Sequence, residues 1–201
     1  MIRAIFTDLG GVVLTNGWDH LGRERAVEHF GLDRAEFFSR HEMIFGAYED
    51  GQMSLEDYLG FAVFYCARDF SRAEFVTYIK QQSQPLPGML ELIAKAKKDS
   101  GLPVFATSNE GREIAEYRID TFGLRDIMDA FVISGFVGMR KPNLGFYKLA
   151  LDLVQEKPEE TLYIDDRQPL IEAGDRAGLV TLWHQDIATT TEALQRHGLL
   201  A

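Results

Sequence analysis

The sequence predicts an α/β protein: an open parallel sheet with helices on both faces, plus a small α-helical subdomain. Three observations carry this. Short β-rich runs are apolar nearly throughout rather than alternating, as strands buried on both faces are. Helix patterns with recognisable ends separate the later runs. One long stretch holds helix signals and no strand.

The runs are "IRAIFTD" (2–8), "PVFATS" (103–108), "AFVISG" (130–135), "TLYIDD" (161–166) and "LVTLWH" (179–184). Between them, Pro87 opens a helix carrying Leu90, Ile93 and Ala94 at i, i+3, i+4, with Gly101 at its C-terminal end. A second follows Pro142 with Phe146, Leu149, Ala150 and Leu153 on one face, and Pro158 stops it; a third runs from about Pro169 to Gly178. Strand and helix in strict alternation is a Rossmann-like arrangement. Residues 15–84 break it: Ser54 caps "SLEDYLGFAVFYCA", with Leu55, Leu59, Ala62, Val63 and Cys66 in one stripe, and "SRAE" (71–74) is a capping box. Roughly four short helices there read as an insertion, so the expected division is a core of 1–14 and 85–201 and a helical subdomain of 15–84.

With 201 residues the chain can bury a full core. A formal net charge of −10 without clustered Lys or Arg argues against a nucleic-acid partner and leaves part of that acidity for a cation site. Cys66 is the only cysteine, read as a buried thiol. No apolar run is long enough to span a bilayer, and "MIRAIFTD" reaches an Asp too soon for a secretory signal, so a cytoplasmic monomer or homodimer is expected. The five histidines are scattered and read as surface or packing residues. The Phe and Tyr between Phe61 and Tyr78 read as core, and "GAYEDGQMS" (46–54) as a helix–helix turn or a loop facing a site.

Ligands of open parallel sheets bind beyond the carboxyl ends of the strands. Four of the five runs end in, or lead shortly to, a reactive group: Asp8, Ser108 with Asn109, Lys141, and Asp165 with Asp166. Taken singly, Asp8 before Gly10 and Gly11 could start a turn, and Ser108 and Asn109 could cap the next helix. Taken together they have a charge logic. Bringing Asp8 near Asp165 and Asp166 costs about 4 kcal/mol per pair at ~4 Å and an effective dielectric of ~20. A hard divalent cation with oxygen ligands offsets that, and Mg²⁺ suits carboxylates with water and phosphate. Lys141 adds a positive charge suited to a phosphoryl oxygen, and Gly10 and Gly11 let backbone amides approach an anion.

The four motifs, in order and spacing, resemble those of the haloacid dehalogenase-like hydrolases: "FTDLGGVVL", "VFATSNE", "GMRKPNLGFY" and "LYIDDRQPLIEAGDRAG". The helical insertion is similar to that family's cap. The resemblance implies that Asp8 is a nucleophile forming an aspartyl-phosphate, and that Ser108, with Asn109 beside it, binds the phosphoryl group. It implies that Lys141 neutralises both, and that Mg²⁺ is held by Asp8, Asp166, the Gly10 carbonyl and, through water, Asp165. It also exposes two departures. Gly10 stands where phosphatases of the family carry an acidic residue, and Leu170 where an Asn is common. The expected activity is Mg²⁺-dependent hydrolysis of a small phosphate ester with a good leaving group. The alternatives are a 2-haloacid dehalogenase, or a binding or regulatory protein that kept the fold.

Overall fold

The computed structural model describes residues 1–200. All five expected strands form: β1 (Ala4–Thr7), β2 (Val104–Ser108), β3 (Ala130–Ile133), β4 (Thr161–Asp165) and β5 (Val180–Trp183). They make one parallel sheet in the order β3-β2-β1-β4-β5, with Ile5 beside Val104 on one side and Leu162 on the other. β1, β2 and β4 are buried along their whole length, which is why their sequences do not alternate.

Ten α-helices accompany the strands among the described residues, the shortest being α7 (Ser134–Val137), a single turn directly after β3. Against one face of the sheet lie α5 (Met89–Ser100), α6 (Arg112–Thr121) and α10 (Ile187–Arg196), which bury Ile93, Ile119 and Leu194 against Ile5 and Ile164. Against the other lie α8 (Leu144–Val154) and α9 (Gln168–Arg176), which bury Phe146, Tyr147 and Ile171 against Phe6 and Tyr163. The predicted ends of α5 hold to within two residues: it begins after Gly88 rather than at Pro87, and Gly101 terminates it in the left-handed region at φ 68°. By contrast, α8 ends at Val154, ahead of Pro158, with Gln155 in the left-handed region. The buried face of α8 is rotated from the expected one. Leu153 is 60% exposed, while Tyr147 is buried with its hydroxyl donating to the Leu170 carbonyl at 3.1 Å.

Residues 20–81 form four helices: α1 (His20–His29), α2 (Arg34–Glu49), α3 (Leu55–Ala62) and α4 (Arg72–Gln81). Asp19, Asp33, Ser54 and Ser71 cap them, the last in a reciprocal capping box with Glu74. They share an aromatic cluster built from Trp18, Phe37, Tyr58 and Phe75, with Ile114 of α6 joining it. Phe64, Phe70 and Tyr78 pack against this cluster as expected of core residues, whereas Phe61 and Tyr65 are exposed, with the Arg40 guanidinium over both rings. Cys66 does not pack there either: α3 ends at Ala62, Arg68 Nε donates to the Val63 carbonyl at 2.8 Å, and the cysteine beyond is exposed. The expected stripe ran one turn too far.

No helix among the described residues is long and apolar enough to cross a membrane.

Candidate active site

The chain runs outward from β1 in one direction and returns to β4 on the other side, so the strand order reverses between β1 and β4. Such a point opens a crevice at the carboxyl ends of the strands. Asp8 follows β1 there, 7% exposed, with its amide donating to the Ile164 carbonyl at 2.8 Å. The next residues close a tight turn in which the Gly11 amide donates to Leu14 at 2.7 Å. Gly11 has a φ of 77°, and a Cβ on it would fall 2.1 Å from Asp166 Oδ2. Backbone conformation and close approach both require glycine at this position.

Ser108 ends β2 beside Asp8, its side chain favouring the ionised carboxylate and its hydroxyl donating to Glu110 Oε1 at 3.2 Å. Neither Ser108 nor Asn109 caps α6, whose first turn is entered from Gly111 without a side-chain bond. The Asn109 amide instead clamps the backbone of Lys141, donating to its carbonyl and accepting from its N–H, each at 2.9 Å. That clamp carries the lysine to the strand ends. Its side chain is wholly buried, with Nζ 2.6 Å from Asp165 Oδ2 and 3.4 Å from Asp8 Oδ2.

The two adjacent aspartates differ in environment. Asp165 is fully buried: Oδ2 accepts from Lys141 and from the Tyr163 hydroxyl, and Oδ1 from the Arg167 amide at 2.9 Å. Asp166 is half-buried, its Oδ2 has a long 3.5 Å contact with the Asn16 amide, and its buried Oδ1 has no hydrogen-bond partner among the described residues. Carboxylate oxygens of Asp8, Asp165 and Asp166 lie within 4.8 Å of one another. Burial pushes the Asp8 carboxyl up to about 7, against the pull of Lys141 and with the push of Asp165. Burial and Asp165 raise Asp166 as well. For Lys141, burial acts downward, but Asp165 and Asp8 outweigh it and hold the ammonium above its ordinary value. One lysine faces three carboxylates. The orphaned Asp166 oxygen and the residual negative charge fit a hard cation with oxygen ligands.

Over these groups lies a cavity of about 400 Å³. Its floor includes Asp8, Gly10, Ser108, Lys141 and Asp166; its opposite wall comes from the helical stretch and includes Trp18, Arg23, Phe45, Tyr48 and Glu49. Tyr48 and Glu49 belong to "GAYEDGQMS", where they form the last turn of α2 rather than a loop. A Cβ on Gly111 would lie 2.1 Å from Tyr48 Cζ, so that glycine admits the helical wall. His20 also lines the cavity. Sequence reasoning missed Arg23, Glu110 and Arg118. Glu110 and Arg118 form a buried ion pair on the cavity wall, and nothing in their spacing distinguishes them from surface helix charges.

The sheet order and the strand-end placement of these groups are those of a doubly wound α/β enzyme. The sequence profile of the haloacid dehalogenase-like hydrolases matches residues 2–178, and the chain belongs to that family. It is 26% identical over 194 residues to a phosphoglycolate phosphatase of Aquifex aeolicus, covering 90% of this chain and 85% of that one. It is 28% identical over 111 residues to the pyrimidine 5'-nucleotidase YjjG of Escherichia coli, covering 54% of this chain and 48% of that protein, about half its length. Among solved structures, a HAD family enzyme of Bacteroides thetaiotaomicron in complex with magnesium and inorganic phosphate superposes with a TM-score of 0.77 at 20% identity, covering 94% of this chain and 99% of that one. The defluorinating L-2-haloacid dehalogenase Rha0230 gives a TM-score of 0.64 at 16% identity, covering 94% and 83%. At these identities the structural likeness is one of fold.

Proposed function

We propose that the protein is a Mg²⁺-dependent phosphatase of small phosphorylated metabolites, acting through phosphorylation of Asp8. The single observation that carries the reading is Lys141 set between Asp8 and Asp165 beside an Asp166 oxygen that lacks a partner. Asp8, Asp166 and the Gly10 carbonyl would hold the cation directly, with Asp165 behind it through water. When bound, Mg²⁺ supplies positive charge shared between these carboxylates and the phosphoryl oxygens.

An oxygen of Asp8 attacks phosphorus and displaces the leaving group; water then cleaves the Asp8 phosphate. Lys141 and the Ser108 hydroxyl hold the phosphoryl oxygens in place, and Asn109 positions Lys141. Residues 15–84 act as a cap over a core of 1–14 and 85–201, excluding water and presenting Arg23, Tyr48 and Glu49 to the substrate. Gly10 cannot protonate a leaving group. Loss of general acid catalysis raises a barrier by about 3–5 kcal/mol, so esters with good leaving groups turn over best.

A panel of aryl, acyl and sugar 1-phosphates assayed with and without Mg²⁺ tests this. Metal-dependent phosphate release, abolished by Asp8→Asn, is expected. Full activity in Asp8→Asn overturns the nucleophile, and halide release from a 2-haloacid that survives EDTA supports the dehalogenase reading instead. No release from any ester, with ligand binding retained, points to a regulatory protein.

A further inference from the structure

The space beside Gly10, where an acidic side chain would stand, is already filled. A Cβ built there would lie 2.9 Å from Asn16 Oδ1 and 3.6 Å from Arg118 Nη1. Arg118 is 2% exposed and lines the same cavity as Asp8 and Ser108. Three of its N–H groups have acceptors among the described residues. Nε donates to the Ser83 hydroxyl at 3.1 Å, Nη1 to Glu110 Oε1, and Nη2 to the Thr15 carbonyl. A guanidinium has five N–H donors, so one remains on each terminal nitrogen. The Nη1 that would meet the residue-10 side chain is therefore still able to donate.

Glu110 ties this guanidinium to the phosphoryl site. Its Oε1 accepts from Arg118 and from the Ser108 hydroxyl at 3.2 Å, and the Ser108 side chain lies close enough to Asp8 to favour its ionised form. The Glu110 amide is held by the Ser134 hydroxyl at 2.9 Å. Thr15 and Ser83, at the two ends of the helical stretch, grip the other side of Arg118. A buried donor fixed on three sides is preorganised and needs no rearrangement when charge develops nearby.

We propose that Arg118, positioned by Glu110, performs the leaving-group function that the missing acid at position 10 would otherwise perform, by donating a hydrogen bond from Nη1 to the departing oxygen. This rests on the phosphatase reading of the same site. As an Asp8 oxygen bonds to phosphorus, the phosphorus–oxygen bond to the leaving group breaks and its electron pair stays on that oxygen. Arg118 stabilises the resulting anion without giving up a proton, because a guanidinium stays charged. The released oxyanion takes its proton from solvent. Water then attacks the Asp8 phosphate, the bond to Asp8 breaks with its electron pair returning to the carboxylate, and the proton lost by the water restores the balance. The net reaction is ester plus water to alcohol plus phosphate.

A graded series of aryl phosphates, from dinitrophenyl to phenyl, separates this role from a structural one. Removing one such donor costs on the order of 10²-fold in rate. In Arg118→Lys, and in Arg118→Met/Glu110→Gln, which keeps the buried site neutral, kcat/KM should fall about that much for phenyl phosphate and only a few-fold for dinitrophenyl phosphate. The dependence on leaving-group pKa thus steepens. Equal loss along the series overturns the proposal. If neither variant folds, the wild type still decides: a clear slowing of kcat/KM for phenyl phosphate in deuterium oxide would mean that a proton moves with the leaving group, contrary to the proposal, whereas rates alike in the two solvents support it. A wild type that releases no phosphate with Mg²⁺ from any member overturns the phosphatase reading itself, and this inference with it.

Discussion

Replacing Lys141 by methionine probes the charge balance of the site most directly. Its side chain is wholly buried, 2.6 Å from Asp165 and 3.4 Å from Asp8. At an effective dielectric of ~20 those separations correspond to about 6 and 5 kcal/mol of gross attraction. Burying an ammonium offsets several kcal/mol of this, and removing one partner of a buried pair typically costs about 3–5 kcal/mol net. Methionine preserves most of the volume, so the loss reports charge rather than a cavity. Urea unfolding at pH 7 without metal should show that decrease. Mg²⁺ should then stabilise Lys141→Met by more than it stabilises the wild type, because the three carboxylates have lost their buried lysine. A loss below about 1 kcal/mol, the level of an exposed ion pair, would refute the reasoning. So would a double variant, Lys141→Met with Asp165→Asn, no more stable than the single one.

Two other substitutions have defined outcomes. Gly11→Ala forces a side chain into the left-handed region, at about 1–2 kcal/mol, and onto Asp166 Oδ2. Calorimetric titration should show weakened Mg²⁺ binding, and unchanged affinity would contradict the placement of Asp166 at the cation. His41 is 5% exposed, with Nδ1 2.9 Å from the Tyr58 hydroxyl; burial, then Arg23 and His20, hold it down to about 3. Its folded value is depressed, so the unfolded chain binds the proton first. The stability is full above pH ~6.5 and falls as pH drops, by up to about 2 kcal/mol at pH 5. His41→Gln should remove that slope from urea midpoints measured across this range, and an unaltered slope counts against it.

The strands were legible because burial on both faces leaves continuous apolar runs, and the strand-end groups because a doubly wound sheet gathers whatever follows its strands. Helix phase was less legible. Tyr147 is buried and Leu153 exposed since a tyrosine whose hydroxyl reaches the Leu170 carbonyl can replace a leucine inside. Cys66 was misplaced because "FAVFYC" continues an apolar pattern after the helix has ended. Arg118 and Glu110 were invisible for another reason. Their meaning depends on Thr15 and Ser83, far away in sequence, arriving at the same guanidinium.

The central position of β1 has a consequence for how the molecule comes together in time. Ile5 pairs with Val104 and Leu162, so the strand that carries Asp8 cannot be flanked on both sides until β4 is in hand. The aromatic cluster of α1 to α4, by contrast, draws almost entirely on one contiguous stretch. Local contacts close quickly, and distant parallel pairings close slowly. The helical piece is therefore expected to consolidate early, while the surroundings of Asp8 are among the last parts to assemble.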